Sequence, residues 1–202
     1  MPTAAAASSS SGQRRPGTEA SPSPGQAISI RFELEDSIVS AIALWRDGEV
    51  KGSNQYAAEL VAKDAGADVF RLETVEQYPR EHESLTQFAK GEAESNARPK
   101  LKLLPDLTGY DTVFIGYPIW WYKMPMALYT MFDKLDFLGK KIAPFTVHGG
   151  SRLGGTDDEI RRLEPGAKVL EGLAISRGDV ADEDTPEEVS EWVRELGLEA
   201  RP

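Results

Sequence analysis

The chain has 202 residues, 40% of them hydrophobic and 28% charged, which is typical of one α/β domain with a tail. Acidic residues outnumber basic ones by 33 to 23, giving a net charge of -10 that argues against nucleic acid or an anionic membrane as partner. The absence of cysteine excludes disulfides, thiolate metal sites and a cysteine nucleophile, and His82 and His148 lie too far apart in sequence to indicate a metal site.

The first 27 residues are rich in Ala, Ser, Pro, Gly and Thr and contain almost no large apolar side chain. Such a segment cannot bury enough surface to offset the entropy of ordering it. We therefore predict a disordered, low-complexity tail over 1–27 and a folded domain over 28–202. No apolar stretch follows Arg14 and Arg15, as a twin-arginine export signal would require, so we expect a cytoplasmic protein.

The next segments suggest how the sheet begins. Residues 28–34 alternate apolar and polar side chains and are interpreted as an extra edge strand. Residues 37–45 are predicted to form the first central strand, and 46–52 a polar loop with several turn-forming residues. Ser53 and Asn54 then cap a helix, whose first amides and dipole suit an anion.

Later segments alternate between strands and helices. The pattern predicts a strand near the sheet edge over 67–73 and a polar helix over 81–96. Short, nearly continuous apolar runs predict strands buried on both faces over 112–117 and 142–147. A last strand is predicted over 167–175. Five alternations of this kind favour a three-layer α/β fold, with helices on both faces of a parallel sheet.

Two unusual loops follow the buried strands. The first carries aromatic side chains, and the second is rich in glycine, which lets backbone amides approach a ligand closely. Because ligands of such sheets bind at the carboxyl ends of the strands, both loops are expected to contribute to one site. The alternative is that one tryptophan belongs to the core, which is stronger for Trp120 than for Trp121. His148 either contacts a ligand or braces its loop. The candidate residues are Pro118, Ile119, Trp120, Trp121, Tyr122, Thr146, His148, Gly149, Gly150 and Ser151.

These loops carry a resemblance to a known family. Tyr117-Pro-Ile-Trp-Trp, then Met124-Pro125, and then His148-Gly-Gly-Ser with Gly154-Gly155 are similar to flavodoxin-like proteins that bind FMN. The resemblance covers about residues 37–198. It implies a doubly wound, five-stranded parallel sheet of order 2-1-3-4-5, with FMN stacked on the aromatic loop and bonded to the glycine loop.

The resemblance also implies a phosphate site at Ser53, Asn54 and Gln55. The usual loop, roughly Ser-x-x-Gly-Asn-Thr, is altered here, because Trp45 and Arg46 stand where its first hydroxyl is expected. Lys51-Gly-Ser-Asn resembles the inserted loop of a long-loop subgroup, which ends in Lys-Gly-Asn-Thr. Arg46 or Lys51 would then partly replace the missing hydroxyl donors.

Three functions remain open from the sequence. The first is an FMN-binding electron-transfer protein, whose acidic surface would either aid solubility or dock a basic redox partner. The second is an enzyme, an NAD(P)H-dependent FMN reductase of quinones or other small acceptors, with Tyr122, Lys123 and His148 lining its pocket. The third is a flavodoxin-shaped binding module that has lost FMN, which Trp45 and the altered phosphate loop favour. No catalytic triad or carboxylate dyad is recognisable, so no catalytic residue of the protein's own is predicted.

Overall fold

A computed structural model describes residues 26–32, 44–46 and 49–200. None of the helices within these ranges combines the length and apolar character that crossing a bilayer requires. The strands are β1 (Gln26–Phe32), β2 (Leu44–Arg46), β3 (Glu49–Lys51), β4 (Asp68–Leu72), β5 (Tyr110–Pro118), β6 (Lys141–His148), β7 (Lys168–Val169) and β8 (Leu173–Ser176). The helices are α1 (Ser53–Ala65), α2 (His82–Glu94), α3 (Met126–Phe132), α4 (Thr156–Leu163) and α5 (Thr185–Glu195).

The main sheet is parallel and has the order β4-β1-β5-β6, with β7 and β8 both pairing with the far side of β6. Since β7 and β8 share the fifth position, this is the predicted order 2-1-3-4-5. The predicted last strand over 167–175 is interrupted before Gly172. A Cβ on that glycine would lie 2.9 Å from the Leu153 side chain and 3.0 Å from the Pro144 carbonyl oxygen, so the chain is closely packed at the break.

Helices cover both faces of this sheet. Residues of α1 and α5 pack with Phe114, Phe145 and Ile175 in one apolar cluster. Residues of α2, α3 and α4 pack with Ile30, Ile115 and other side chains of the opposite face in a second cluster. The sheet therefore lies between two helical layers, as the predicted doubly wound α/β class requires.

The first central strand differs from its prediction. β1, not the segment 37–45, lies between β4 and β5, and it begins at Gln26, inside the predicted tail. The interpretation of 28–34 as an edge strand was therefore wrong. Polar Ser29 and Arg31 suggested exposure to water, but Ser29 is fully buried. Residues 1–25, 33–43, 47–48 and 201–202 lie outside the described ranges, so the predictions for them stay untested.

The segment before α1 also differs from its prediction. Leu44–Arg46 pairs antiparallel with Glu49–Lys51 in a separate two-stranded ladder outside the main sheet. Trp45 and Arg46 thus belong to a strand of this ladder, not to the end of a central strand. The ladder leads through Gly52 directly into α1, so the start of that helix follows the ladder, not β1.

We predict that the stability of the protein depends on pH through the acidic cluster of Glu164, Asp136 and Asp133. Burial raises the pKa of Glu164 to about 7, and the nearby carboxylates of Asp136 and Asp133 add to the rise. A carboxyl whose pKa is raised on folding contributes stability that is fully present below its unfolded pKa and lost as pH rises through about 7. Glu164→Gln should therefore flatten the stability decrease between pH 5 and pH 8. Water screens this partly exposed group, so the change in unfolding free energy should be at most about 1 kcal/mol.

The measurement is urea unfolding of both proteins at the two pH values. Glu183→Gln, a change at an exposed loop carboxyl, serves as the control and should leave the pH dependence unaltered. The same pH slope in wild type and Glu164→Gln would contradict the assignment.

Candidate functional site

The two unusual loops meet at one edge of the sheet. β5 leads into the aromatic loop, residues 118–123, and β6 leads into the glycine loop, residues 149–155. A Cβ on Gly154 would lie 3.6 Å from Ile119 Cγ2 and 3.8 Å from Tyr122 Cα, so the loops are in contact. The structure therefore brings together the two loops that the sequence predicted to share a site.

The aromatic loop is a tight reverse turn. The backbone N–H of Trp120 donates to the carbonyl of Lys123, and the reverse bond forms as well, both at 2.9 Å. Trp121 and Tyr122, the central residues, have φ of 51° and 60°. Two left-handed residues in a two-residue turn fit the type I′ geometry, which normally takes Asn or Gly. Large aromatic residues there are strained by about 1–3 kcal/mol each.

The two tryptophans have different surroundings. The Trp120 ring packs edge-on against Phe32 at 5.7 Å and Tyr78 at 5.6 Å between centroids, which anchors the turn to the core. The Trp121 ring remains 48% exposed. Its Nε1–H donates to the Thr86 carbonyl at 3.1 Å, and Lys90 Nζ lies 5.4 Å from its ring centroid. Trp121 thus lies along α2, with much of its ring accessible to solvent.

His148 braces the glycine loop. Its side chain is 9% exposed, and Nδ1 accepts a 2.9 Å hydrogen bond from the backbone N–H of Gly150. Because Nδ1 acts as an acceptor, the neutral imidazole carries its proton on Nε2. Gly150 has φ of 127°, a conformation that only glycine adopts easily, so this bond depends on glycine at position 150.

A second hydrogen-bonded pair fixes the far end of the glycine loop. Thr156 Oγ1 donates to the Leu153 carbonyl at 2.6 Å and, in turn, accepts from the Tyr117 hydroxyl at 2.8 Å. Burial raises the pKa of the Tyr117 phenol above its usual range, so the group stays neutral and acts as a donor. The end of β5 and the start of α4 are thereby held together beneath the two loops.

The start of α1 lies beside the end of β6. Asn54 Oδ1 accepts from the Val147 backbone N–H at 3.2 Å, while Ser53 and Asn54 are 0% and 1% exposed. Gly52 is the N-cap, and no side chain caps the helix. The predicted anion site is thus joined by a direct hydrogen bond to the end of β6, just before the glycine loop.

Other side chains near this helix start are engaged elsewhere. Gln55 Nε2 donates to Glu59 Oε1 at 2.9 Å, and Lys51 Nζ pairs with Glu59 Oε2 at 2.7 Å. The Gln55 side chain therefore points along the helix towards Glu59, and only the backbone amide of Gln55 is left at the N-terminal end of α1. Lys51 forms an ion pair with Glu59, and the expectation that Arg46 or Lys51 partly replaces the missing hydroxyl donors stays a prediction.

A cleft of about 250 Å³ opens at this edge of the sheet. The aromatic loop, the end of β6, the first half of α2 and the residue after β8 form its walls. The lining residues are His82, Leu85, Thr86, Ala89, Pro118, Ile119, Trp120, Trp121, Val147, His148, Gly149 and Arg177.

The family sequence profile described as Flavodoxin matches residues 48–196, most of the chain. The chain belongs to the flavodoxin family. Membership of this family supports FMN as the cofactor of the protein. A search of curated protein sequences finds no match to it.

Solved structures of similar fold agree with the flavodoxin assignment. A candidate flavoprotein from Bacteroides uniformis ATCC 8492 has a TM-score of 0.64 at 23% identity, covering 85% of this chain and 99% of its own. One from Bacteroides eggerthii DSM 20697 has a TM-score of 0.64 at 21% identity, covering 85% and 98%. A Lactobacillus acidophilus NCFM flavoprotein in complex with FMN has a TM-score of 0.57 at 16% identity, covering 77% and 95%. At these identities the likeness establishes a shared fold.

The polar groups of the flavodoxin-family site fit a ring with several hydrogen-bonding atoms along one edge. Within the described ranges, the backbone N–H groups of Gly149 and Ser151 donate to no protein acceptor. The Thr146 hydroxyl is fully buried and has no hydrogen-bond partner in the same part of the chain. An unpaired buried hydroxyl such as that of Thr146 is costly unless a ligand satisfies it, whereas Gly149 is exposed and Ser151 half-buried. Since the isoalloxazine of FMN carries both carbonyls and an N–H along one edge, these residues fit it.

Sequence reasoning missed two walls of the cleft. The segment of α2 was predicted only as a polar helix, so the place of its Leu85, Thr86 and Ala89 on the wall of the cleft was not anticipated. Arg177 was not singled out, although it directly follows β8 and so lies at a carboxyl strand end. Its position just after a strand was the feature of the sequence that could have identified Arg177 as a site residue.

Proposed function

We propose that the protein binds FMN in this cleft and carries electrons between redox partners. The observation that supports this most directly is the contact between the aromatic turn and the glycine loop, with two unpaired amides beside exposed aromatic surface. Bound FMN supplies reversible uptake of electrons, while the protein supplies binding and orientation. The net charge of -10 favours a basic protein or a cationic small molecule as the electron-exchanging partner. The cytoplasmic location expected from the sequence belongs to the same proposal.

Each wall of the cleft has a distinct role in this proposal. Trp121, with Tyr122 beside it, offers the ring a flat apolar surface, worth about 0.5–1.5 kcal/mol per stacked pair beyond burial. Gly149 and Ser151 offer amides to the polar edge of the ring, together with the Thr146 hydroxyl. His148 holds those amides in place through Gly150. None of these groups requires proton transfer by the protein.

The phosphate is assigned to the first turn of α1, where backbone amides and the positive end of the helix dipole converge. Ser53 can add its hydroxyl. Asn54 contributes mainly by fixing the helix to Val147, and Gln55 by its amide alone. This division explains how an altered loop with few hydroxyl groups still suits a phosphate.

Comparison of FMN with riboflavin, which lacks the phosphate, tests both the cofactor and its orientation. FMN should bind at least ~30-fold more tightly, equivalent to about 2 kcal/mol. Ser53→Ala should remove much of that preference, because a hydrogen bond to a charged group contributes about 1.5–3 kcal/mol. Gln55→Ala is the matched control and should leave the preference unchanged, since its side chain contacts Glu59. Dissociation constants from flavin fluorescence quenching provide the measurement.

Two outcomes would contradict this assignment. Equal affinity for the two flavins would mean that the start of α1 is only a helix terminus and that the phosphate lies elsewhere. Binding of neither flavin would favour the third function, a flavodoxin-shaped binding module.

A second candidate function is the NAD(P)H-dependent reduction of quinones or other small acceptors. The observation that favours it is the open cleft, whose wall includes His148. Tyr122 and Lys123, which were also predicted to line such a pocket, are not among the residues that line this cleft. Steady-state oxidation of NADH or NADPH by the FMN-loaded protein, with and without a quinone, separates this activity from electron carriage. Turnover that depends on the quinone would establish the reductase, and an FMN-loaded protein without turnover would support the carrier.

A further inference from the structure

Arg177 places a positive charge on the wall of the cleft beside the glycine loop. Its backbone N–H donates to the His148 carbonyl at 2.8 Å, which fixes the residue next to the end of β6. A Cβ on Gly149 would lie 3.7 Å from Cζ and 3.7 Å from Nη2 of Arg177, so the guanidinium lies directly against the backbone of this loop. The side chain is exposed and also lines the cleft.

This guanidinium is not neutralised within the described part of the chain. Some arginines there pair with carboxylates, as Arg98 does with Asp133 and Arg161 with Asp157, whereas Arg152 has no such pair but lies outside the cleft. Arg177 has no ion pair or side-chain hydrogen bond of this kind, although the protein carries a net charge of -10. A cation left unpaired at the mouth of a cleft in an acidic protein is available to a negatively charged group of a ligand.

We propose that Arg177 stabilises the negative charge that FMN acquires on reduction, an inference that rests on the proposed binding of FMN in this cleft. Bound FMN that accepted two electrons from its redox partner and one proton from water would be anionic, with the negative charge on the same polar edge that the glycine-loop amides would bind. The oxidised ring is neutral. A guanidinium beside Gly149 would therefore favour the reduced form over the oxidised form and raise the reduction potential.

The phosphate is the other anion of FMN, and the geometry favours the ring over it. The start of α1 is joined to β6 at Val147, whereas the guanidinium lies against Gly149, two residues further into the loop with the unpaired amides. A guanidinium that bound the phosphate would strengthen the binding of FMN equally in both redox states and would not change the affinity for riboflavin. A guanidinium that stabilised the reduced ring would strengthen the binding of both flavins, but only in their reduced forms.

The test measures binding in both redox states for wild type, Arg177→Gln and Arg177→Lys. Dissociation constants of oxidised FMN and riboflavin come from fluorescence quenching, and the midpoint potential of the bound flavin comes from equilibration with reference dyes. Arg152→Gln is the matched control, because Arg152 is an exposed arginine of the same loop that lies in a separate groove beside Asp157. Circular dichroism and thermal midpoints verify that each variant is folded.

In Arg177→Gln, the affinity for the oxidised flavins should stay within about twofold of wild type, and the affinity for the reduced flavins should fall about tenfold. A tenfold change lowers a two-electron potential by about 30 mV. Arg177→Lys should retain most of the wild-type potential, and Arg152→Gln should retain all of it. An unchanged potential in Arg177→Gln, or equal loss of FMN affinity in both redox states with riboflavin unaffected, would overturn the proposal. Failure of wild type to bind any flavin would instead overturn the proposed function, and this inference with it.

Discussion

Replacing Trp192 with alanine should lower the free energy of unfolding by about 3–5 kcal/mol, the range for large aromatic truncations in a packed core. The side chain is 6% exposed, and its ring packs edge-on against Phe114 at 5.8 Å and Phe145 at 6.3 Å between centroids. Its Nε1–H also donates to the Glu171 carbonyl at 3.0 Å, so truncation removes that bond as well. Urea unfolding of the flavin-free protein, monitored by circular dichroism, gives the change directly.

Trp121→Ala is the matched control for this prediction. The indole of Trp121 is 48% exposed and belongs to the aromatic turn, so its removal should change unfolding free energy by less than about 1 kcal/mol. Its removal should instead weaken FMN binding, by about 1–3 kcal/mol from lost stacking and buried area. If Trp121→Ala proved the more destabilising of the two, the roles assigned to these tryptophans would be reversed.

Gly116→Ala should destabilise the protein by about 1–3 kcal/mol, because it adds a methyl group to a filled core. Gly116 lies in β5 directly beside Phe145 of β6, and a Cβ there would lie 2.2 Å from the Phe145 ring. That ring is fully buried and packs against Trp192, so it has little room to move. Since β5 leads into the aromatic loop, the same change should also weaken FMN binding.

Gly91→Ala provides a control of the opposite sign. Gly91 lies inside α2, and a Cβ there would meet no atom within 4 Å. Alanine should therefore stabilise the helix by about 0.5–1 kcal/mol through its higher helix propensity. Equal effects of the two substitutions on the urea midpoint would show that the contact with Phe145 does not limit packing.

The predictability of each strand depended on how far its sequence pattern matched its environment. β5 and β6 were located correctly because both are nearly continuous apolar runs, as strands covered on two faces usually are. β1 was misplaced because it carries Ser29 and Arg31 on the face towards α1, although it occupies the centre of the sheet. An alternating sequence shows that the two faces of a strand carry different side chains. In β1 it did not mean that the polar face is exposed to solvent.

The parts of the candidate site that are contiguous in sequence could be predicted. The aromatic and glycine loops are contiguous segments at strand ends, and the rule for parallel sheets was enough to predict that they meet. The contributions of α2 and Arg177 depend on distant segments packing side by side, which no local pattern specifies. The surroundings of Trp120 and Trp121 likewise follow from the direction of one tight turn, not from their adjacent positions.

The aromatic turn also bears on how stability and function are balanced in this protein. Asn-Gly at positions 121 and 122 would suit both left-handed conformations, whereas Trp-Tyr is strained there. The chain thus retains a less stable turn, with Trp121 on the wall of the cleft and Tyr122 exposed beside it. This is the stability–activity trade-off seen where a site requires side chains that its backbone disfavours. An engineer seeking thermostability would change this turn first, at the cost of the flat surface that is proposed to face FMN.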